Sequence, residues 1–181
     1  MIKKDKILKP FFSIITPIKN DQKNIQKTLR SLNKQSFRNF EHIIVDAESN
    51  DKTPQIINNY KNKKTILIRG KDKGIYDGIN KGIKIARGEV IGTLNAGDTY
   101  SLKALEIIFN YFKNKKTDFI FGTVKKDTIR YGYNPSKIFW SFNFYPAHSS
   151  GFFIRTKAQK KIGYYDLKFK CSSDYDLFYK M

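Results

Sequence analysis

Val90-Ile91-Gly92-Thr93-Leu94-Asn95-Ala96-Gly97-Asp98 begins as an apolar run and stops at an amide, a glycine and a carboxylate. A short apolar run bounded by turn residues reads as a buried strand, expected over Val90 to Leu94. Leu105, Ile108, Phe109 and Phe112 follow at helical spacing, so the polar turn lies between a strand and an amphipathic helix. The same unit recurs upstream. Phe11 to Ile18 is apolar and β-rich, and Ile25, Leu29 and Leu32 then share one face of a helix starting near Asp21. Glu41 to Asp46 is a second strand, closing on Glu48-Ser49-Asn50-Asp51, and Thr53 and Pro54 suit the N-cap and first position of the next helix. Thr65 to Arg69 is a third strand, and Ile79, Ile83 and Ala86 mark the helix behind it. Downstream, Asp118 to Val124 reads as a fifth strand.

Strands alternating with helices imply an α/β fold, a mostly parallel sheet covered by helices on both faces. In such sheets a ligand lies beyond the carboxyl ends of the strands. Polar clusters stand where that rule wants them, at Thr16 to Asn20, Asp46 to Asp51 and Asn95 to Asp98. Past Val124 the pattern changes to an aromatic-rich stretch, Ile138 to Tyr145, then a strand-like Gly151 to Arg155 and a short final helix. The chain stops soon after Ser173-Asp174-Tyr175-Asp176, which reads as truncation.

A chain of 181 residues is long enough to bury a core as one domain. Its 35 Lys+Arg against 16 Asp+Glu give a formal charge of +19, which attracts nucleic acid, anionic lipid or phosphorylated substrates. The lysines are scattered rather than gathered in a tail, so compositional bias explains the charge equally well. The single Cys171 excludes an internal disulfide and fits a reducing compartment. No apolar run reaches membrane-spanning length and residues 1–10 lack a signal-peptide core, so a soluble cytoplasmic protein is the expectation, with peripheral contact to anionic membrane left open.

Several chemistries are absent by motif. No G-x-G-x-x-G follows the first strand, no Walker A sequence occurs, and no Cys/His spacing suits zinc. No nucleic-acid motif is present either, and acids gathered at strand ends would repel a phosphate backbone, so no specific nucleic-acid partner is expected. Those same carboxylates suit a hard divalent cation whose shell is completed by phosphate oxygens.

The succession Ser13-Ile14-Ile15-Thr16-Pro17, Val45-Asp46-Ala47-Glu48-Ser49-Asn50-Asp51, Asp72-Lys73-Gly74-Ile75-Tyr76-Asp77-Gly78, Ala86-Arg87-Gly88-Glu89, Leu94-Asn95-Ala96-Gly97-Asp98 and Ser173-Asp174-Tyr175-Asp176 resembles glycosyltransferase family 2, with its GT-A fold. The likeness is greatest to bacterial members that build surface polysaccharides. It implies transfer from a UDP- or GDP-linked sugar to a glycan or lipid-linked acceptor, with inversion, aided by Mn²⁺ or Mg²⁺. It further implies a nucleotide-sugar-binding half over residues 11–124 and an acceptor-side half over 125–181. Thr16, Pro17, Ile18 and Asp46 would line the base and ribose pocket, with Asp72, Tyr76 and Asn95 beside the donor. Asp98 matches the acid whose carboxylate binds the metal that clamps the diphosphate. Asp174 matches the base that deprotonates the acceptor hydroxyl, and Asp176 and His148 lie where phosphate or acceptor contacts would fall. The chain departs from the family pattern at Ala47, Gly97 and Ser173, each in place of an acid, so Asn95 or water would complete the metal shell.

Other readings compete. Asp98 after a strand is also a helix N-cap, Asp77 a cap for its own helix, and Asp174 and Asp176 favour a helix N-terminus by charge alone. His148 is otherwise a solvated loop residue, and His42, within a strand, reads as structural. The aromatic stretch from Ile138 to Tyr145 is packing, an acceptor platform, or a surface entering a membrane interface.

Overall fold

A computed structural model describes residues 9–114, 116–125, 129–130 and 149–181. Four β–α units open the chain: β1 (Phe12–Ile18) and α1 (Ile25–Asn33), β2 (Phe40–Asp46) and α2 (Thr53–Tyr60), β3 (Thr65–Arg69) and α3 (Ile75–Ile85), β4 (Val90–Thr93) and α4 (Ala104–Phe112). Then come β5 (Phe119–Phe121), a small hairpin of β6 (Val124–Lys125) and β7 (Ile129–Arg130), β8 (Phe152–Arg155), α5 (Thr156–Ile162) and α6 (Ser173–Tyr179). One six-stranded sheet has the order β3-β2-β1-β4-β8-β5. The pairs from β3 to β4 are parallel, and β8 runs antiparallel between β4 and β5. The sheet is therefore mostly parallel, as the alternating elements imply.

Its central strands are buried throughout and mostly apolar because both faces are covered, and successive side chains alternate between them. Ile15, Ile43, Val45 and Ile91 face α3 and α6, packing with Ile79, Ile83, Leu177 and Phe178. Phe12, Ile14 and Val90 face the other way, against Leu32 of α1 and Leu105, Ile108 and Phe112 of α4. Ile18 and Ile44 extend that second side toward Ile25, Leu29 and Ile57. Each such side chain contributes about 1.5–3 kcal/mol relative to exposure.

Gly78 and Gly82 let α3 lie close on β1: a Cβ at Gly82 would stand 2.5 Å from the Ile15 side chain, and one at Gly78 would stand 3.0 Å from Pro17 Cβ. The first turns of α3 therefore sit over the carboxyl end of β1. At the opposite edge, Ser13 donates to Glu41 (2.6 Å), Gly88 N donates to Ser13 Oγ (2.8 Å), and Arg87 pairs with the buried Glu41 (2.7 Å). The Arg-Gly-Glu stretch thus joins β1, β2 and the start of β4, and Glu89 pairs with Arg155 of β8.

Two expectations are revised. Asp118 to Val124 is not one strand: pairing stops at Phe121, Gly122 N turns to the Gly151 carbonyl (2.7 Å), and Val124 begins the separate hairpin. β5 lies at the sheet edge, with β8 between it and β4. Thr53 is the first helical residue rather than the cap, and Asp51 Oδ1 accepts its N–H (2.9 Å). The helix α5 carries no apolar stripe that would announce it in the sequence. Among the described residues no helix is long and apolar enough to cross a membrane.

Candidate functional site

From β1 the chain steps to β2 and β3 on one side, then crosses to β4 on the other. That reversal opens a crevice at the carboxyl ends of β1 and β4, the usual ligand position in such sheets. Pro17 and the Asn95–Asp98 turn flank it.

The turn is fastened from two directions. From α1, Thr28 Oγ1 donates to the Asp98 carbonyl (2.8 Å) and accepts Gly97 N–H (2.9 Å). From the β8 side, Ser150 donates to Asp98 Oδ2 at 2.6 Å, and Asn95 Nδ2 donates to Ser149 Oγ at 3.0 Å. Tyr100 closes the rear, its hydroxyl donating to the Thr93 carbonyl (2.8 Å); burial and then the Asp98 charge push that phenol's pKa up. Because α4 begins only at Ala104, Asp98 is not that helix's N-cap.

The residues present fit a hard cation shared with a diphosphate. Asp98 supplies one partly exposed carboxylate, and Asn95 Oδ1 is a buried oxygen with no hydrogen-bond partner among the described residues. Those residues hold no cluster of three metal-ligating side chains, so phosphate and water must supply most of the shell, as is usual for Mg²⁺.

The other residues fall as follows. Thr16 is fully buried; its hydroxyl donates to the Leu94 carbonyl (2.8 Å) and meets His42 Nε2 (2.9 Å), so its side chain joins strands. Ile18 belongs to the core, and Pro17 packs on Gly78. Asp46, 1% exposed, accepts Ser49 N–H (2.9 Å) and faces Arg69 Nε (3.4 Å), which shapes the turn after β2. Asp72 Oδ1 accepts Gly74 N–H (3.1 Å), and Asp77 Oδ2 accepts Lys73 N–H (3.0 Å), so the loop into α3 is capped by its own acids.

Asp174, 5% exposed, stands in the first turn of α6, where the Tyr76 hydroxyl donates to Oδ1 at 3.1 Å. Since Tyr76 is in the first turn of α3, this contact places Asp174 at the same carboxyl edge of the sheet as Pro17. Burial, and then the Asp174 charge and hydrogen bond, push Tyr76 up to about 12. Asp176 pairs with Lys180 (2.5 Å) and lines a cleft of about 450 Å³ with Phe169, Ser172, Tyr175 and Tyr179. His148 and the stretch from Ile138 to Tyr145 lie outside the described residues. Sequence reading missed Ser150, Thr28 and Tyr165, none of which carries a local signal of its role.

Residues 13–173 match the family described as Glycosyl transferase family 2. A Mycobacterium bovis PGL/p-HBAD biosynthesis glycosyltransferase is 28% identical over 92% of this chain and 68% of its own. An uncharacterized glycosyltransferase of Methanocaldococcus jannaschii is 30% identical over 93% of this chain and 63% of its own. S. aureus TarS superposes with a TM-score of 0.77 at 26% identity, over 93% of this chain and 33% of that one. Its residues 1–349, solved with UDP, give 0.74 at 25%, over 92% and 53%. A Pyrobaculum calidifontis mannosyltransferase solved with GDP-Man and Mn²⁺ shares the fold (0.73, 14% identity, 94% and 52% covered). The fold is GT-A, and the chain spans a third to a half of these solved chains.

Proposed function

Because the chain belongs to glycosyl transferase family 2, we propose that it transfers a sugar from a UDP- or GDP-linked donor to a glycan or lipid-linked acceptor of a cell-surface polymer, with inversion. The observation that carries this reading is the pair of acids at one edge of the sheet, Asp98 fixed by Ser150 and Asp174 by Tyr76. Thr28 and Ser150 hold the Asp98 turn rigid before any donor arrives, and such preorganisation lets it act on charge that develops during reaction. Mn²⁺ or Mg²⁺ at Asp98 and Asn95 Oδ1 would neutralise the departing diphosphate. Asp174 takes the acceptor hydroxyl's proton; the oxygen bonds to the anomeric carbon as the carbon–diphosphate bond breaks, and the nucleoside diphosphate leaves with that electron pair. A base so placed adds ~10²–10⁴-fold to rate.

Residues 11–124 take the donor and residues 125–181 the acceptor in this scheme, which operates in the cytoplasm and meets the inner face of the membrane where the acceptor is lipid-linked. The charge of +19 supports work beside diphosphates and anionic lipid.

The test is thermal shift with UDP- and GDP-sugars plus Mn²⁺ or Mg²⁺, followed by transfer assays. A cognate donor stabilises the folded chain by mass action. Asp98→Ala should abolish the metal-dependent shift, and Asp174→Asn should keep it but lose transfer. Wild-type behaviour of both variants would overturn the assignment.

A further inference from the structure

Asp174 is held by a succession of contacts that begins on α3. Tyr76 and Asn80, four residues apart, share one face of that helix. Asn80 grips the backbone of Tyr165 twice, Nδ2 to the carbonyl at 2.9 Å and Oδ1 from the N–H at 3.0 Å. Tyr165 in turn stacks on Tyr76, with centroids 5.3 Å apart and planes 16° apart. Tyr76 then reaches Asp174 Oδ1, and Ser173, fully buried, donates to the Asp166 carbonyl at 2.9 Å. The Tyr165-Asp166 segment is thus clasped to α3 on one side and to the start of α6 on the other.

We propose that Tyr76 is a positioning residue for Asp174, with Tyr165 and Asn80 as the backing that fixes its phenol. The inference rests on Asp174 being the base. A carboxylate in the first turn of a seven-residue helix has two rotatable bonds, and its aim decides whether a hydroxyl proton is within reach. A phenol stacked on Tyr165, whose backbone is clasped to α3, settles the aim. At 3.1 Å the bond is at the long end for two oxygens, as catalytic contacts often are before substrate binds.

Among the described residues, phenols face Asp174: Tyr76 from α3, Tyr165 from the preceding segment and Tyr175 from α6, each raised in pKa by burial and by the Asp174 charge. Of the described charges on these elements, Asp77 pairs with Lys81 and Asp176 with Lys180, while Asp166 accepts Lys168 N–H.

The test is steady-state nucleotide release, with Mn²⁺, from whichever of UDP-GlcNAc, UDP-glucose and GDP-mannose the wild type turns over fastest. Tyr76→Phe keeps the ring and its stack, and should lower kcat about tenfold while leaving KM for the donor within about twofold. In an Asp174→Asn background the same substitution should change the residual rate by less than about twofold, because the two act as one unit. Tyr165→Leu should reproduce the kcat loss, and melting curves of all variants verify folding. Wild-type kcat in Tyr76→Phe, or an equal fall with and without Asp174, overturns the proposal. Full activity of Asp174→Asn alone would instead remove the base assignment, a separate failure.

Discussion

Ser150 donates its hydroxyl hydrogen to Asp98 Oδ2 at 2.6 Å, joining the turn after β4 to the segment before β8. The carboxylate cannot swing away while that bond holds, and the adjacent Asn95 is fixed through Ser149 in the same way. For the metal role proposed for Asp98, an outer partner of this kind would orient the carboxylate and typically contributes about 10–100-fold to metal affinity. Ser150→Ala should therefore weaken Mn²⁺-dependent UDP binding by roughly tenfold in calorimetry. Ser150→Thr, which keeps the hydroxyl, should bind nearly as wild type.

His42 yields a pH dependence. Thr16 spends its hydroxyl hydrogen on the Leu94 carbonyl, so His42 must donate Nε2–H to Thr16, which assigns the neutral tautomer by its network. Burial pushes this imidazole down to about 3. Below pH 6.5 the unfolded chain binds a proton that the folded chain refuses, so stability is complete above 6.5 and declines as pH falls toward 3. The slope from this group is at most about 1.4 kcal/mol per pH unit. Urea midpoints from pH 7 to 5 should fall less steeply in His42→Gln than in wild type.

Much of the sheet was legible because strands buried on both faces are rich in apolar β-formers, as β1, β2 and β4 are despite a few buried polar residues. Three of the first four helices, α1, α3 and α4, announced themselves by apolar stripes, and α2 by Thr53 and Pro54 at its start. By contrast, α5 buries only Gln159, so its sequence carries no stripe to find. The insertion of β8 beside β4 was equally hidden, since local pattern carries no strand order. Asp98 and Asp174 stood out by motif, whereas Ser150 and the clasp of Asn80 on Tyr165 are 52 and 85 residues from their partners. Thr16 shows the reverse: a polar residue at a strand's end whose side chain turned out to serve the sheet.

Gly88 has no room for a side chain. A Cβ there would lie 2.5 Å from Ser13 N and 2.7 Å from Phe12 C, backbone atoms at the center of a parallel pair that cannot yield. Gly88→Ala must break the Gly88 N–H bond to Ser13 Oγ or push β4 from β1. The expected loss is about 1–3 kcal/mol, read as a lower urea midpoint with an unchanged slope.

Asn95 tests the metal reading without any turnover. Its Oδ1 is buried and unpaired among the described residues, while Nδ2 donates to Ser149 Oγ. Asn95→Asp has the same shape, and Ser149 can reverse its hydroxyl to donate to the new oxygen. Without metal, the added carboxylate beside Asp98 and away from water destabilises the chain, so the melting temperature should fall. With a divalent cation the second charge adds attraction, so Mn²⁺ should raise the variant's melting temperature more than it raises the wild type's. Calorimetric Mn²⁺ affinity should increase in parallel. A variant destabilised without metal and indifferent to Mn²⁺ would mean that Asp98 and Asn95 do not share a cation.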